Sequence, residues 1–440
     1  VTLESTEVDG ASATPADPST WGARHAHDPT VVRGDDGIWY MFSTDSGPDR
    51  DTMPTGVHVR TSTDLVTWTF AGTALPGVPR PAADWANARM LWAPEVMRWP
   101  GADPRWHMYY SASTFGSRTS AIGLAVASDL AGPWEDRGIV VATRTDEDTQ
   151  NAIDANITFD RDGAPWLTYG SFFSGIYTLP LRRDSGEPLE PGDHGTVIAR
   201  RPRSVDGAIE GAFVLHRRQE DRFVLFASYD SLFSTYNVRV AVADAITGPY
   251  RDANGRDMAD LGSAPHAIGT KVLGSYRFDG DTGWLAPGHN SILVEPTDTG
   301  DEYFMVHHVR VEGNPTEHTA HVRRVFFTAA GWPVVSPQPF AGRDSEALPA
   351  TEPLDGTWRV VRFDPESSEL VPARPVHLES PAGEPGRRFG TAAEQARIRV
   401  DGVDLDAVVF GSADASRGRA ALSFSGMGSD GVVWFGTKGD

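Results

Sequence analysis

The sequence predicts an all-β chain, a five-bladed β-propeller followed by a small C-terminal β-sandwich or barrel-like domain. Three observations lead there. The 440 residues include 45 glycines, 32 prolines and 10% aromatics with no long run of strong helix formers, a composition suited to short strands and turns. A short aromatic and β-branched run recurs five times, and a turn ending in an aromatic recurs three times.

The first copy shows how a unit is built. Pro29 in His27-Asp28-Pro29 fixes its own φ and biases Asp28 toward extended backbone, which predicts a carboxylate at a kink where an apolar strand begins. Asp35-Asp36-Gly37 reads as a hairpin turn, and an aromatic strand over 38–43 follows. Relatives of that strand lie at 105–111, 165–171, 222–228 and 302–308, most of them behind a polar turn such as 160–163 or 299–301. Their irregular spacing of roughly 55–80 residues suits blades with variable loops.

The aromatic turns at 62–68, 128–134 and 244–250 read as outer hairpins of such blades. Four-stranded sheets arranged radially point one end of every inner strand at a common axis, so polar residues at those ends converge. A sandwich or solenoid built from the same hairpins is the alternative.

The chain divides into a polar N-terminal segment over 1–20, a propeller over 21–340 that closes near Gly331–Val335, a Pro-, Ala- and Glu-rich linker over 336–353, and an all-β module over 354–440. The module is expected either to pack against the propeller or to bind glycan. No motif within it carries chemistry.

A formal net charge of −21 argues against nucleic acid and anionic membrane surfaces as partners and favours a neutral substrate. With no cysteine there is neither a disulfide framework nor a thiolate metal site. No run of about 18 apolar residues is present to cross a membrane as a helix. The start at Val1 without Met, followed by a polar stretch, matches a processed secreted protein or a trimmed chain. Secretion and a monomeric state are the expectations.

Three acids stand among apolar or small residues, where a solvated carboxylate is out of place: Asp28, Asp154 and Glu210. Two carboxyls can hydrolyse a glycosidic bond, one protonating the leaving oxygen while the other activates water. A third can hold the donor's pKa up by repulsion. Taken singly, each has a plainer reading: a turn former, a strand-end cap, a salt-bridge partner.

His27-Asp28-Pro29, Leu91-Trp92-Ala93-Pro94-Glu95-Val96, Asn151-Ala152-Ile153-Asp154, Tyr169-Gly170-Ser171-Phe172, Ile209-Glu210-Gly211, Tyr236-Asn237-Val238-Arg239-Val240 and Gly288-His289-Asn290-Ser291 follow one another in the order seen in glycoside hydrolase family 43. Over about 25–340 the chain resembles that family, and within it the arabinan endo-1,5-α-L-arabinanases. The resemblance implies a five-bladed propeller that hydrolyses α-1,5-linked L-arabinan or arabino-oligosaccharides with inversion. It makes Asp28 the general base, Asp154 the pKa modulator and Glu210 the general acid, with base and acid about 6.5–9.5 Å apart to admit a water.

His289 matches a family histidine that holds a central ion, often calcium through waters. A core histidine bonded to a carbonyl is the alternative, since calcium prefers oxygen. No organic cofactor is implied. Trp92 and Phe115 fall at aromatic sugar contacts, and Asn156 and Ser171 at polar ones. Departures are Gly211-Ala212-Phe213, where many relatives carry Ala-Pro-Tyr, and the histidines His25 and His27 that flank the base. Endo action is the leading expectation. An exo-acting α-L-arabinofuranosidase or β-xylosidase of the same fold, and a non-catalytic glycan-binding propeller, are the alternatives.

Overall fold

The structure is a computed structural model and describes residues 17–101, 105–278, 280, 282–298, 300–379 and 386–439. Residues 1–16 of the polar segment and Thr299 of the 299–301 turn lie outside the described residues.

Strands follow one another as antiparallel meanders. The first sheet holds β1 (Thr30–Arg33), β2 (Trp39–Ser43), β3 (His58–Ser62) and β4 (Thr69–Thr73); the second β5 (Trp92–Trp99), β6 (Arg105–Ala112), β7 (Ser120–Ala127) and β8 (Glu135–Thr143). The third holds β9 (Asn156–Phe159), β10 (Pro165–Tyr169), β11 (Ile176–Pro180) and β12 (Thr196–Ala199); the fourth β13 (Ile209–Arg217), β14 (Arg222–Tyr229), β15 (Asn237–Ala243) and β16 (Thr270–Leu273). The fifth is built from β17 (Tyr276–Arg277), β18 (Trp284–Thr297), β19 (Gly300–Val311), β20 (Asn314–Phe327) and β21 (Pro333–Val335), and residues Val371–Pro372 pair parallel with β17 at its edge.

After these come β22 (Glu352–Pro353), β23 (Gly356–Arg362), β24 (Val371–Pro372), β25 (Arg374–Leu378), β26 (Arg388–Phe389), β27 (Glu394–Val400), β28 (Val403–Asp414), β29 (Arg419–Gly428) and β30 (Val433–Lys438). A six-stranded sheet in the order β25-β23-β30-β29-β28-β27 dominates this part. Among the described residues the α-helices are limited to α1 (Arg80–Ala86) and α2 (Arg343–Glu346), so the fold is all-β.

The five recurring runs are β2, β6, β10, β14 and β19, each hydrogen-bonded to the first long strand of its sheet. The β1–β2 turn forms as its sequence demands. Gly34 N–H meets the Ile38 carbonyl, Asp36 Oδ1 accepts the Ile38 N–H, and Gly37 takes φ +81°, where a side chain would be strained. Trp68, Trp134 and Tyr250 of the aromatic turns are buried. Trp134 Nε1 and the Tyr250 hydroxyl each donate to the carbonyl four residues earlier, tying the ring to its own turn.

Polar side chains connect neighbouring sheets in a closed cycle. Thr30 Oγ1 donates to Glu95 Oε2 at 3.1 Å, Asn156 Nδ2 to Glu95 Oε1 at 3.0 Å, and Val214 N to Asn156 Oδ1 at 2.8 Å. His289 N donates to Ser228 Oγ at 2.7 Å, and Ser291 Oγ to the Pro29 carbonyl at 2.9 Å. The fifth sheet thereby returns to the first.

Near the start of each first long strand, one residue adopts left-handed backbone: Asp28 (φ +51°), Ala93 (+37°), Asp154 (+62°), Gly211 (+57°) and His289 (+47°). Pairing slips at three of these points, between Trp92 and Glu95, Glu210 and Phe213, and Gly288 and Ser291. Bulges of this kind bend a strand and re-aim its side chains, which is why they gather beside functional sites. The extended backbone expected at Asp28 is thus overturned. Aspartate tolerates the left-handed region better than most residues, and its carboxylate is held there by partners from three loops and strands.

The 336–353 segment, read as a linker, is docked. Phe340 is buried with its N–H on the Val322 carbonyl, and buried Glu346 meets Arg324 at 3.4 Å. Val361, Phe363, Ala373, Met427, Val433 and Phe435 share one core with Val240, Leu273, Tyr276 and Met305 of the fourth and fifth sheets. Fully buried Arg239 donates to the Pro365 carbonyl, and Lys271 Nζ to those of Asp364 and Ser367.

Candidate active site

The left-handed kinks bring Asp28, Asp154, Glu210 and His289 into one electrostatic cluster. Asp28 Oδ1 lies 2.8 Å from His27 Nδ1, 3.0 Å from His289 Nδ1 and 3.6 Å from His308 Nδ1. Its Oδ2 accepts the Thr44 hydroxyl at 2.6 Å, and the Thr44 oxygen in turn accepts the Ala93 N–H. His308 Nδ1 accepts the Asp28 N–H at 3.4 Å and therefore carries no proton. Burial pushes the Asp28 carboxyl up, but the His27 and His289 imidazoles outweigh it and hold the carboxyl well below the usual range.

Glu210 is shifted the opposite way. Its Oε2 accepts the Ser171 hydroxyl at 2.6 Å and its Oε1 the Tyr236 hydroxyl at 2.8 Å. Burial raises its pKa beyond what these bonds and His289 take back, and Asp28 adds to the rise. Asp154 is pushed up to about 7, first by burial and then by repulsion from Glu210 and Asp28, against the pull of His289 and a 3.2 Å bond from Gly211 N–H. Burial, ahead of charge repulsion, is the leading cause for both. His289 faces all three acids. Burial works against its charge, yet they lift it to about 10.

Other expected residues fall in distinct places. Trp92 is half-buried at the start of β5, and Phe115 is 78% exposed on the loop after β6. Ser171 touches Glu210. Asn156 departs from its expected sugar contact, because both ends of its buried amide are occupied between sheets by Glu95 and Val214.

Four residues gain roles that sequence reading missed: Thr44 and His308 on Asp28, Tyr236 on Glu210, and Glu95 at the centre of the inter-sheet cycle. Tyr236 and Glu95 lay inside motifs already singled out, so an acid and a phenol among apolar neighbours were the available signal. His308 ends the fifth aromatic run and is fully buried, with its ring stacked 3.8 Å from that of His27.

His27, Asp28 and His308 offer ligand atoms within 4.8 Å of one another and could hold a metal ion. His289 is outside that group, with Nδ1 directed at Asp28. Beside it Asn290 is buried, and neither end of its amide has a partner among the described residues. The positive charge that the three acids hold on His289 opposes direct ligation of a cation by that imidazole.

The chain is 28% identical to extracellular endo-α-(1→5)-L-arabinanase 2 of Bacillus subtilis (strain 168), over 94% of this chain and 92% of that protein. It is 33% identical to an extracellular exo-α-(1→5)-L-arabinofuranosidase of Cellvibrio japonicus (strain Ueda107), over 70% and 86%. The solved endo-1,5-α-L-arabinanase of Thermotoga petrophila RKU-1 superposes with a TM-score of 0.80 at 26% identity, covering 97% of this chain and 100% of that one. Residues 22–333, which hold every kinked strand and all three acids, match the profile of Glycosyl hydrolases family 43, and the chain belongs to that family.

Proposed function

We propose that the chain is a secreted, endo-acting hydrolase of α-1,5-linked L-arabinan that works with inversion. One observation carries this reading: two buried carboxyls in one cluster have opposite surroundings, Asp28 paired with the His27 and His289 imidazoles that lower its pKa, and Glu210 bonded only to the Ser171 and Tyr236 hydroxyls with its pKa raised by burial. Such a split assigns base and acid. Asp28 takes a proton from a water, whose oxygen attacks the anomeric carbon. Glu210 gives its proton to the departing glycosidic oxygen as the C–O bond breaks, and the anomeric configuration inverts. Asp154 tunes Glu210 and, through Gly211 N–H, fixes the backbone next to it. Trp92 and Phe115 contact sugar rings, and Ser171 orients the acid.

The closed cycle of five sheets supports a five-bladed propeller over 21–340, with a C-terminal all-β domain over 354–440 that packs against it. His27, Asp28 and His308 are the residues that would hold a metal ion, which when bound would supply positive charge at the base. The names of the relatives support arabinan as substrate and an extracellular location.

Linear arabinan tests the reading. Viscosity should fall faster than reducing ends appear, and Glu210→Gln should lower turnover about a hundredfold or more. No release of sugar from arabinan would overturn it. The exo-acting relative favours a second reading, in which single terminal units appear while viscosity persists.

A further inference from the structure

Three of the six exposed large hydrophobic residues among those described are phenylalanines on loops beside this site: Phe115, Phe173 and Phe233. Phe233 was not singled out in the sequence. It is 57% exposed, on the loop between β14 and β15, and its ring lies 6.2 Å from that of Phe115 at a 57° tilt. The loops carrying the two rings belong to the fourth and second sheets, between which in chain order comes the third sheet, which bears Ser171 and follows directly on Asp154.

The Phe233 loop is stiff. Ser231 O accepts the N–H groups of Ser234 and Thr235, Thr235 Oγ1 accepts that of Ser231, and Ser231 Oγ that of Phe233. Arg310 pins it from the fifth sheet, with Nε on the Leu232 carbonyl at 2.8 Å and its guanidinium 5.4 Å from the Phe233 ring centre. Three residues further on, Tyr236 holds Glu210. The Phe115 loop is tied to the acids as well, since it follows the strand whose Ser111 hydroxyl accepts the Asp154 N–H at 3.0 Å.

Two exposed rings in contact, one of them on a stiff loop and backed by a cation, lose little entropy on binding an apolar face. The C–H face of a neutral sugar is such a surface, and it suits a chain of net charge −21 that repels acidic ligands. We propose that Phe233, paired with Phe115, forms a sugar-stacking subsite at the rim, away from the scissile bond, and sets the preference for long chains over short ones. This rests on the arabinan reading above. The occupant is a furanose unit of the same polymer whose scissile bond reaches the acids.

The test reads kcat/KM on linear arabinan divided by kcat/KM on arabinotriose, for wild type, Phe233→Ala and Phe233→Tyr. Phe233→Ala should lower that ratio about fivefold, the worth of one aromatic contact, and Phe233→Tyr should restore it. Calorimetry of arabinohexaose binding to Glu210→Gln, with and without Phe233→Ala, should show a matching loss of affinity. A wild type active on arabinan whose ratio is unmoved or raised by Phe233→Ala overturns the subsite alone. A wild type inert on arabinan overturns the arabinan reading and the subsite with it.

Discussion

His289 Nδ1 lies 3.0 Å from Asp28 Oδ1, and this pair sets the charge state of the base. His289 faces two further acids, so its positive charge persists to about pH 10 and holds the Asp28 carboxyl ionised despite burial. In His289→Gln the cation is gone and the Asp28 pKa rises. The acidic limb of kcat/KM is set by the base, so it should move to higher pH by about one unit or more. An acidic limb that stays in place would show that His27 alone holds Asp28 down.

That pair also marks where sequence reading stopped. The aromatic runs were legible because β-branched and aromatic residues bounded by turn formers report a strand directly, as β2, β6, β10, β14 and β19 show. The kinks were not. Pro29 argues for extended backbone at Asp28, yet bulge geometry overrides the local preference there, and nothing near Ala93 or His289 signals φ above zero. Asn156 reads as a free polar group because its partners, Glu95 and Val214, lie about 60 residues away on either side. His308 escaped notice for the same reason, since it reaches Asp28 only once the first and fifth sheets meet, whereas Thr44 reaches it through the pairing of β1 with β2.

Tyr236→Phe removes a hydroxyl that donates to the Glu210 carboxylate and thereby lowers its pKa. Without it Glu210 should hold its proton to higher pH, and the alkaline limb should move up by about one unit. A pH–rate profile checks this. A limb moving down would mean that the phenol instead stabilises the protonated acid.

Glu95 is a buried acid whose carboxyl burial lifts to about 7, against bonds from Asn156 and Thr30. A carboxyl raised on folding contributes stability below its unfolded value near 4.5, and that contribution is lost as pH rises through 7. Glu95→Gln keeps the shape and the bond from Asn156 without the charge, and its amide N–H can donate to Thr30 Oγ1 in place of accepting from it. It should therefore be the more stable protein at pH 8, by up to about 3 kcal/mol, with the difference vanishing toward pH 4. Thermal melts at the two pH values decide. Equal melting at pH 8 would show that Glu95 keeps no buried charge there.

Phe363 sits between the C-terminal sheet and Tyr276, with Phe435 edge-on at 4.9 Å between ring centres. Phe363→Ala should cost about 3–5 kcal/mol. Because the core is continuous across the two parts, calorimetry should still show a single transition at lower temperature. Two separated transitions would mean that residues 354–440 unfold independently of the five sheets.

Asp154→Asn addresses the acid through its neighbour. Asp154 and Glu210 repel each other and are both raised, so they titrate as a set. Replacing Asp154 by Asn removes one charge, keeps the size, and leaves an amide oxygen for Gly211 N–H. Glu210 then loses its proton more readily, and the alkaline limb of kcat/KM should shift to lower pH and become a one-proton step. The direction is opposite to that expected for Tyr236→Phe, so the two variants check each other on the same assay. If Asp154→Asn leaves the limb in place, or moves it up, Asp154 does not tune the acid, and its role is confined to holding the Gly211 backbone.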